Sequence, residues 1–185
     1  MITALDKKTA LILIDLQKSV IALPLAHPVE EILDNVNRLV AAFRKKNLPI
    51  VFVNVNPAGA AWTKSRKEAK PNPLPDDQDW YRITDKIDMG ENDICITKHT
   101  WSAFFETPLD DELKQRAVTG IVLAGISTSI GVEGTARAAS ERGYNLSFAI
   151  DAMTDMQPLA HERSIRFIFP RMGETGTTKE IIEKL

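Results

Sequence analysis

Apolar residues run without a break over 10–14 (ALILI), most of them branched, and give way at once to Asp15 and Gln17. Such a run predicts a strand buried on both faces whose carboxyl end emerges into solvent. Over 28–46 the period changes. Val29, Ile32, Leu33, Val36, Leu39, Val40 and Phe43 recur at steps of three and four. This is the apolar stripe of an amphipathic helix, entered at Pro28 and ended near Asn47. Residues 49–55 (PIVFVNV) form a second buried strand. A βαβ unit is therefore complete by residue 55, and its crossover is expected to be right-handed.

Residues 56–93 break the rhythm. They carry Pro57, Pro71, Pro73 and Pro75 together with Trp62, Trp80, Tyr81 and charges of both signs. A long excursion over one end of the sheet is expected, either a lid over a pocket or a surface loop tied down by its aromatics. Strand and helix then alternate again. Strands are predicted over 93–97 (DICIT), 119–124 (TGIVLA) and 145–150. The last of these is closed by Asp151. Helices are predicted over 110–117, 132–142, 158–169 and 177–185. Gly143 terminates the second of these helices and threonines cap the last. No repeat, low-complexity tract or domain-splitting linker interrupts the pattern, so 1–185 reads as one α/β domain. Its sheet is mostly parallel, with helices on both faces.

Composition narrows the function classes. The chain is 44% hydrophobic and 26% charged with a formal net charge of −2, which describes a soluble globular protein with no field to draw nucleic acid or an anionic membrane. The N-terminal apolar run is cut by Asp15 and lacks a small-residue cleavage site, so neither a signal peptide nor an anchor is expected. The lone cysteine, Cys95, excludes an internal disulfide framework and suits a cytoplasmic location; it reads as a small buried hydrophobe. His27, His99 and His161 are scattered without metal-ligand spacing, so no metal site is expected, and no cofactor.

In a doubly wound sheet, ligands sit outside the carboxyl ends of the strands. Asp15, Asn54, Asn56, Lys98 and the segment 127–131 occupy those ends. A carboxylate and an ammonium emerging from neighbouring strands can form an acid–base centre. They can equally form a structural ion pair at the sheet edge. The segment 125–131 (GISTSIG) joins a strand to a helix N-terminus, where unpaired backbone N–H groups could bind an anion or oxyanion, unless it is a plain turn.

Five segments carry a more specific likeness: LILIDLQ at 11–17, TKHTWSAFFETPL at 97–109, GISTSIGVEGTARAA at 125–139, DAMTD at 151–155 and FPRMGETGTTKEI at 169–181. In this order they resemble the isochorismatase-like (cysteine hydrolase) superfamily. The resemblance implies a doubly wound, Rossmann-like three-layer sandwich with about six parallel strands, a small-molecule substrate and assembly into homo-oligomers. It implies Asp15 as catalytic acid or base, Lys98 as its support, and a cis peptide at Ile126–Ser127. Gln17, Asn56, Trp101, Phe104, Ile126, Ser127 and Ile130 become the expected substrate contacts, with the 101–105 segment shaping an apolar wall.

The superfamily's amidase branch places its nucleophilic cysteine where this chain has Gly131, and glycine has no atom with which to attack a carbonyl. The isochorismatases proper resemble this chain in having glycine there. Three functions are therefore expected. The first is enol-ether cleavage of an isochorismate-like compound, with Asp15 as general acid; the second is amide or ester hydrolysis by direct water attack. The third is a catalytically silent metabolite-binding or assembly protein. Arg66 and Arg82 are candidate anion partners by location alone. Asp151 and Arg137 are expected to form a structural pair behind the pocket, and Glu133 and Thr135, on the first turn of the 132–142 helix, either to touch ligand or to cap and pack.

Overall fold

The computed structural model describes residues 1–69 and 77–185. In chain order its elements are β1 (Thr9–Ile14), the one-turn helix α1 (Lys18–Ile21), α2 (Val29–Lys45), β2 (Ile50–Val55), β3 (Ile94–Lys98), α3 (Leu109–Gln115) and β4 (Gly120–Ile126). Then follow α4 (Glu133–Glu141), β5 (Asn145–Thr154), α5 (Pro158–Arg163), β6 (Gly173–Gly176) and α6 (Thr178–Ile182). The strands lie side by side in the order β3-β2-β1-β4-β5-β6, every neighbouring pair parallel. This is the doubly wound sheet expected, and its order reverses between β1 and β4.

Side-chain alternation along each strand divides the core into two layers. From β1, Ala10, Ile12 and Ile14 join Val51, Val53, Ile121, Leu123 and residues of α3 and α4 on one face. Leu11 and Leu13 join Ile50, Phe52, Val122 and Ala124 on the other, beneath α2 and α6. The stripe on α2 buries Ile32, Leu33, Val36, Leu39, Val40 and Phe43 there. Each such side chain contributes about 1.5–3 kcal/mol when fully withdrawn from water. Gly125 lets β4 pass close to β1: with φ +118°, a β-carbon on it would lie 2.1 Å from the Ile14 carbonyl oxygen, a distance no side chain tolerates.

Two parts of the sheet differ from the reading of the sequence. β5 does not end at Asp151. Its register against β4 jumps from Leu123↔Phe148 to Gly125↔Met153 and Ile126↔Thr154, so residues near 151 bulge out and the strand resumes beyond them. Asp151 therefore points to α6, where its Oδ1 accepts hydrogen bonds from the Thr178 amide (2.6 Å) and hydroxyl (2.8 Å). It does not pair with Arg137, whose guanidinium lies on Glu133. The second difference is β6, which the hydrophobic pattern omits. GETG has no apolar side chain to register as a strand, and Gly173 packs so closely that a β-carbon would meet the Leu146 carbonyl oxygen at 2.2 Å.

The described parts of the 56–93 excursion are tied down at both ends. Residues 82–84 run antiparallel to 16–18, through a Gln17–Ile83 bridge and the Lys18 N–H to Arg82 O and Thr84 N–H to Leu16 O bonds. Trp62 donates its indole N–H to the His99 carbonyl at 2.6 Å. Tyr81 is buried, whereas Trp80 is exposed. Pro71, Pro73 and Pro75 lie outside the described residues. Among the described residues, no helix is long and apolar enough to cross a membrane.

Candidate active site

The switch point in strand order brings three strand ends together. β1 stops at Ile14, and Asp15 adopts a left-handed backbone conformation, φ +51°, which aspartate tolerates better than most residues. Its amide stays bonded to Val53 O at 2.8 Å, so the turn is anchored to β2 while the side chain folds over the sheet end. Lys98 closes β3 on the same face as Ile96, because residues two apart on a strand share a face. Its ammonium donates to Asp15 Oδ2 at 2.7 Å and to the Thr100 carbonyl at 3.1 Å. β4 ends in a cis peptide between Ile126 and Ser127, as the resemblance leads one to expect. It passes through a wide turn at Thr128–Val132 into α4.

Asp15 and Lys98 are both buried, at 6% and 1% exposure. Burial disfavours the charged carboxylate and outweighs the pull of the Lys98 ammonium, pushing the Asp15 carboxyl up to about 6. Its second oxygen, Oδ1, is shielded from solvent and, among the described residues, has no hydrogen-bond partner. An unsatisfied buried oxygen costs about 1–3 kcal/mol. It is the feature here that a proton, a water or a ligand would relieve.

Gly131 faces this pair directly. A β-carbon placed on it would lie 2.9 Å from Ile14 Cγ2, 3.0 Å from Asp15 Oδ2 and 3.6 Å from Lys98 Nζ. The carboxylate and the isoleucine methyl already occupy the space that a side chain at 131 would enter. Asp15 and Lys98 are thus in direct contact, and Gly131 backs onto the pair with no side chain between.

The other expected site residues are less tightly gathered. Ser127 is buried in the turn and Ile130 is half-buried on it; Ile126 is fully buried in the α2 layer. Gln17 is buried and its amide is spent on Val55, whose N–H it accepts at 2.7 Å, and on the Val55 carbonyl and Ser19 hydroxyl. It splices the exits of β1 and β2. Asn56 turns its oxygen to the Ala58 amide. Trp101 is exposed, its Cβ close to Gly134 of α4. Phe104 packs into the core against Tyr144 and under the Arg142 guanidinium. Arg66 is exposed, and Arg82 pairs with Asp79. Glu133 is buried and gathers Arg137, Arg163 and the Ser164 hydroxyl; Thr135 accepts the Ala103 amide. Cys95 is not the buried hydrophobe expected. It is exposed on an edge strand and faces a groove of about 1080 Å³ on the α2 side of the sheet, opposite to Lys98.

One residue at the site escaped the reading of single positions. Asp155 is buried beyond the β5 bulge, and its Oδ2 accepts both the amide and the hydroxyl of Ser129 at 2.8 Å. Its signal in the sequence was no more than the last letter of DAMTD.

Comparison with known proteins agrees with this architecture. Residues 9–180 match the family model described as Isochorismatase domain. The chain is 40% identical to the isochorismatase family protein YwoC of Bacillus subtilis (strain 168), over 97% of this chain and 95% of that one. It is 28% identical to the ureidoacrylate amidohydrolase RutB of Klebsiella variicola (strain At-22), over 74% of this chain and 69% of that one. The structure of an isochorismatase family protein from Burkholderia thailandensis superposes with a TM-score of 0.94 at 33% identity, covering 100% and 99% of the two chains. With its doubly wound sheet and the motifs at its strand ends, the chain belongs to the isochorismatase family of hydrolases.

Proposed function

We propose that this protein hydrolyses a small molecule without a covalent enzyme intermediate, using Asp15 for proton transfer and Lys98 to hold it. The observation that carries this reading is the Asp15 carboxyl. It is buried, anchored through Oδ2 to Lys98, unpartnered at Oδ1 among the described residues and raised to about 6. A group titrating close to the working pH both holds and releases a proton readily. Gly131, which falls where the amidase relatives carry their cysteine, presents no nucleophile, so the attacking atom is water.

The most concrete version is cleavage of an enol ether such as isochorismate. The Oδ1 proton is delivered to the enol carbon, leaving an oxocarbenium ion. Water adds to that cation and loses a proton, and the hemiketal collapses to pyruvate and the alcohol. Lys98 faces the carboxylate that remains and stabilises its charge. The test is pyruvate release from isochorismate by the wild type beside Asp15→Ala. Release by the wild type alone is expected, and release by both would remove Asp15 from the mechanism.

The likeness to a ureidoacrylate amidohydrolase favours a second reading, amide hydrolysis. Here Asp15 in its ionised form would take a proton from the attacking water. Asp15-dependent ammonia release from a panel of small amides and ureido compounds, with no pyruvate from isochorismate, would select it.

A further inference from the structure

Behind the turn that carries Gly131 lies a buried polar cluster that the proposed reaction does not use. Thr128 and Thr154 are fully buried, Asp155 is 2% exposed and His161 6%. Thr128 Oγ1 lies 2.9 Å from the Thr154 carbonyl and 2.9 Å from His161 Nδ1. His27 approaches from the other side, its Nδ1 2.9 Å from Thr154 Oγ1, and the two imidazole rings are 4.6 Å apart at 53°.

Counting protons assigns the roles. A hydroxyl has one proton to donate, and a carbonyl can only accept. The Thr128 proton therefore goes to Thr154 O, and Thr128 Oγ1 must accept from His161, so Nδ1 carries the hydrogen. Burial and the neighbouring His27 both hold His161 below the usual histidine range, against Glu162 and Asp155, which favours the neutral ring. Its Nε2 is then a lone pair.

We propose that His161 is a positioning residue for the site: its Nδ1–H locks the Thr128 side chain to the end of β5 and so fixes the turn that holds Gly131 against Asp15. Asp155 clamps the next residue, Ser129, through amide and hydroxyl. The turn is thus held at two successive residues, and Gly131 follows two residues later. This rests on the reading of Asp15 and Lys98 as the reacting pair. Its first test is independent of any substrate.

Long-range ¹H–¹⁵N correlation of the imidazoles in the full chain reads the tautomer directly. The chain has three histidines, and His161→Leu identifies the signal by its loss. His161 is expected as Nδ1–H, the opposite of the form neutral histidine favours in water; an Nε2–H ring overturns the proposal. Three variants then separate a specific donor from bulk. Asparagine places its amide nitrogen near Nδ1, glutamine places its own near Nε2, and leucine has no donor. The Ser129 and Gly131 amide shifts are expected to stay in place in His161→Asn and to move in His161→Gln and His161→Leu.

On whichever of isochorismate or the small amides is turned over, His161→Asn is expected to hold kcat near wild type. The other two lower kcat by roughly 10- to 100-fold, the effect of an Ångström-sized misplacement, with KM changed less. Asparagine behaving like leucine would overturn the proposal. If none of these compounds is turned over, the hydrolytic reading fails by itself, while tautomer and amide shifts still decide the role of His161.

Discussion

Gly131→Ala tests whether the bare backbone at 131 is what seats the Asp15 carboxylate. The added methyl would lie 2.9 Å from Ile14 Cγ2 and 3.0 Å from Asp15 Oδ2. Carbon–carbon contacts settle at about 3.5–4.0 Å, so the first contact is short by about 0.6 Å or more. Ile14 cannot yield, because it is fully buried in the central strand between β2 and β4. The turn at 131 must therefore shift away from Ile14, and Asp15, whose carboxylate lies 3.0 Å from the methyl, must give as well, disturbing its 2.7 Å bond to Lys98. Overpacking costs about 1–3 kcal/mol, while alanine returns at most about 1 kcal/mol of backbone preference over glycine. The net loss lies within the roughly 5–15 kcal/mol that holds a domain of ordinary stability together, so the protein is expected to stay folded. Activity is a different matter. A displacement approaching 1 Å costs on the order of 10²-fold, so kcat is expected to fall between about tenfold and a hundredfold. The substrate-free assay is ¹³C-detected titration of the Asp15 carboxyl, run beside urea unfolding. As the Lys98 ammonium moves off, the carboxyl loses the partner that favours its charged form, and its midpoint is expected to rise from about 6. An unchanged midpoint together with wild-type turnover would refute the reasoning. It would show that the carboxylate has room the structure does not provide.

The pH profile separates the two chemistries. If Asp15 is a general acid, its protonated form is active and kcat/KM falls as pH rises through about 6; if it is a general base, kcat/KM rises through the same value. The same group acts on stability. Its folded value of about 6 exceeds the ordinary 3.8, so the stability it contributes is full below 3.8 and is lost as pH rises through about 6. Asp15→Asn is expected to abolish that slope in urea unfolding measured between these limits. Asp15→Asn also strands the buried Lys98 ammonium and is expected to cost about 3–5 kcal/mol at pH 7. Adding Lys98→Met is expected to recover most of the loss without restoring turnover, and a double variant no more stable than the single one would contradict this. Asp151→Ala removes the acceptor of the Thr178 amide and hydroxyl and is expected to cost about 1 kcal/mol with kcat unchanged. A loss of activity at full stability would instead place Asp151 in the site.

The hydrophobic pattern by itself determined the parts of this protein whose burial is a property of one segment. β1, β2 and β4 are apolar on both faces because a central parallel strand is covered on both sides. The stripe on α2 is apolar because one side of that helix lies on the sheet. Asp15 and Lys98 were legible as strand-end polar residues for the same reason, and motif resemblance singled out Gly131. What the tertiary structure alone decided depends on segments far apart in the chain. The β5 bulge, which sends Asp151 to α6 and brings Asp155 to the turn, is a matter of register against β4 and has no local signature. β6 is held by its ladder to β5 and by Glu174 bonding back to Thr3, so its sequence needs no apolar residue. Cys95 is exposed because, among the described residues, nothing covers that face of an edge strand, which a single strand's sequence cannot report. The upward shift of the Asp15 carboxyl comes from its burial, only partly offset by the 2.7 Å approach of Lys98 from 83 residues away. Such a shift is set by the three-dimensional surroundings of a charge, and local periodicity carries no record of them.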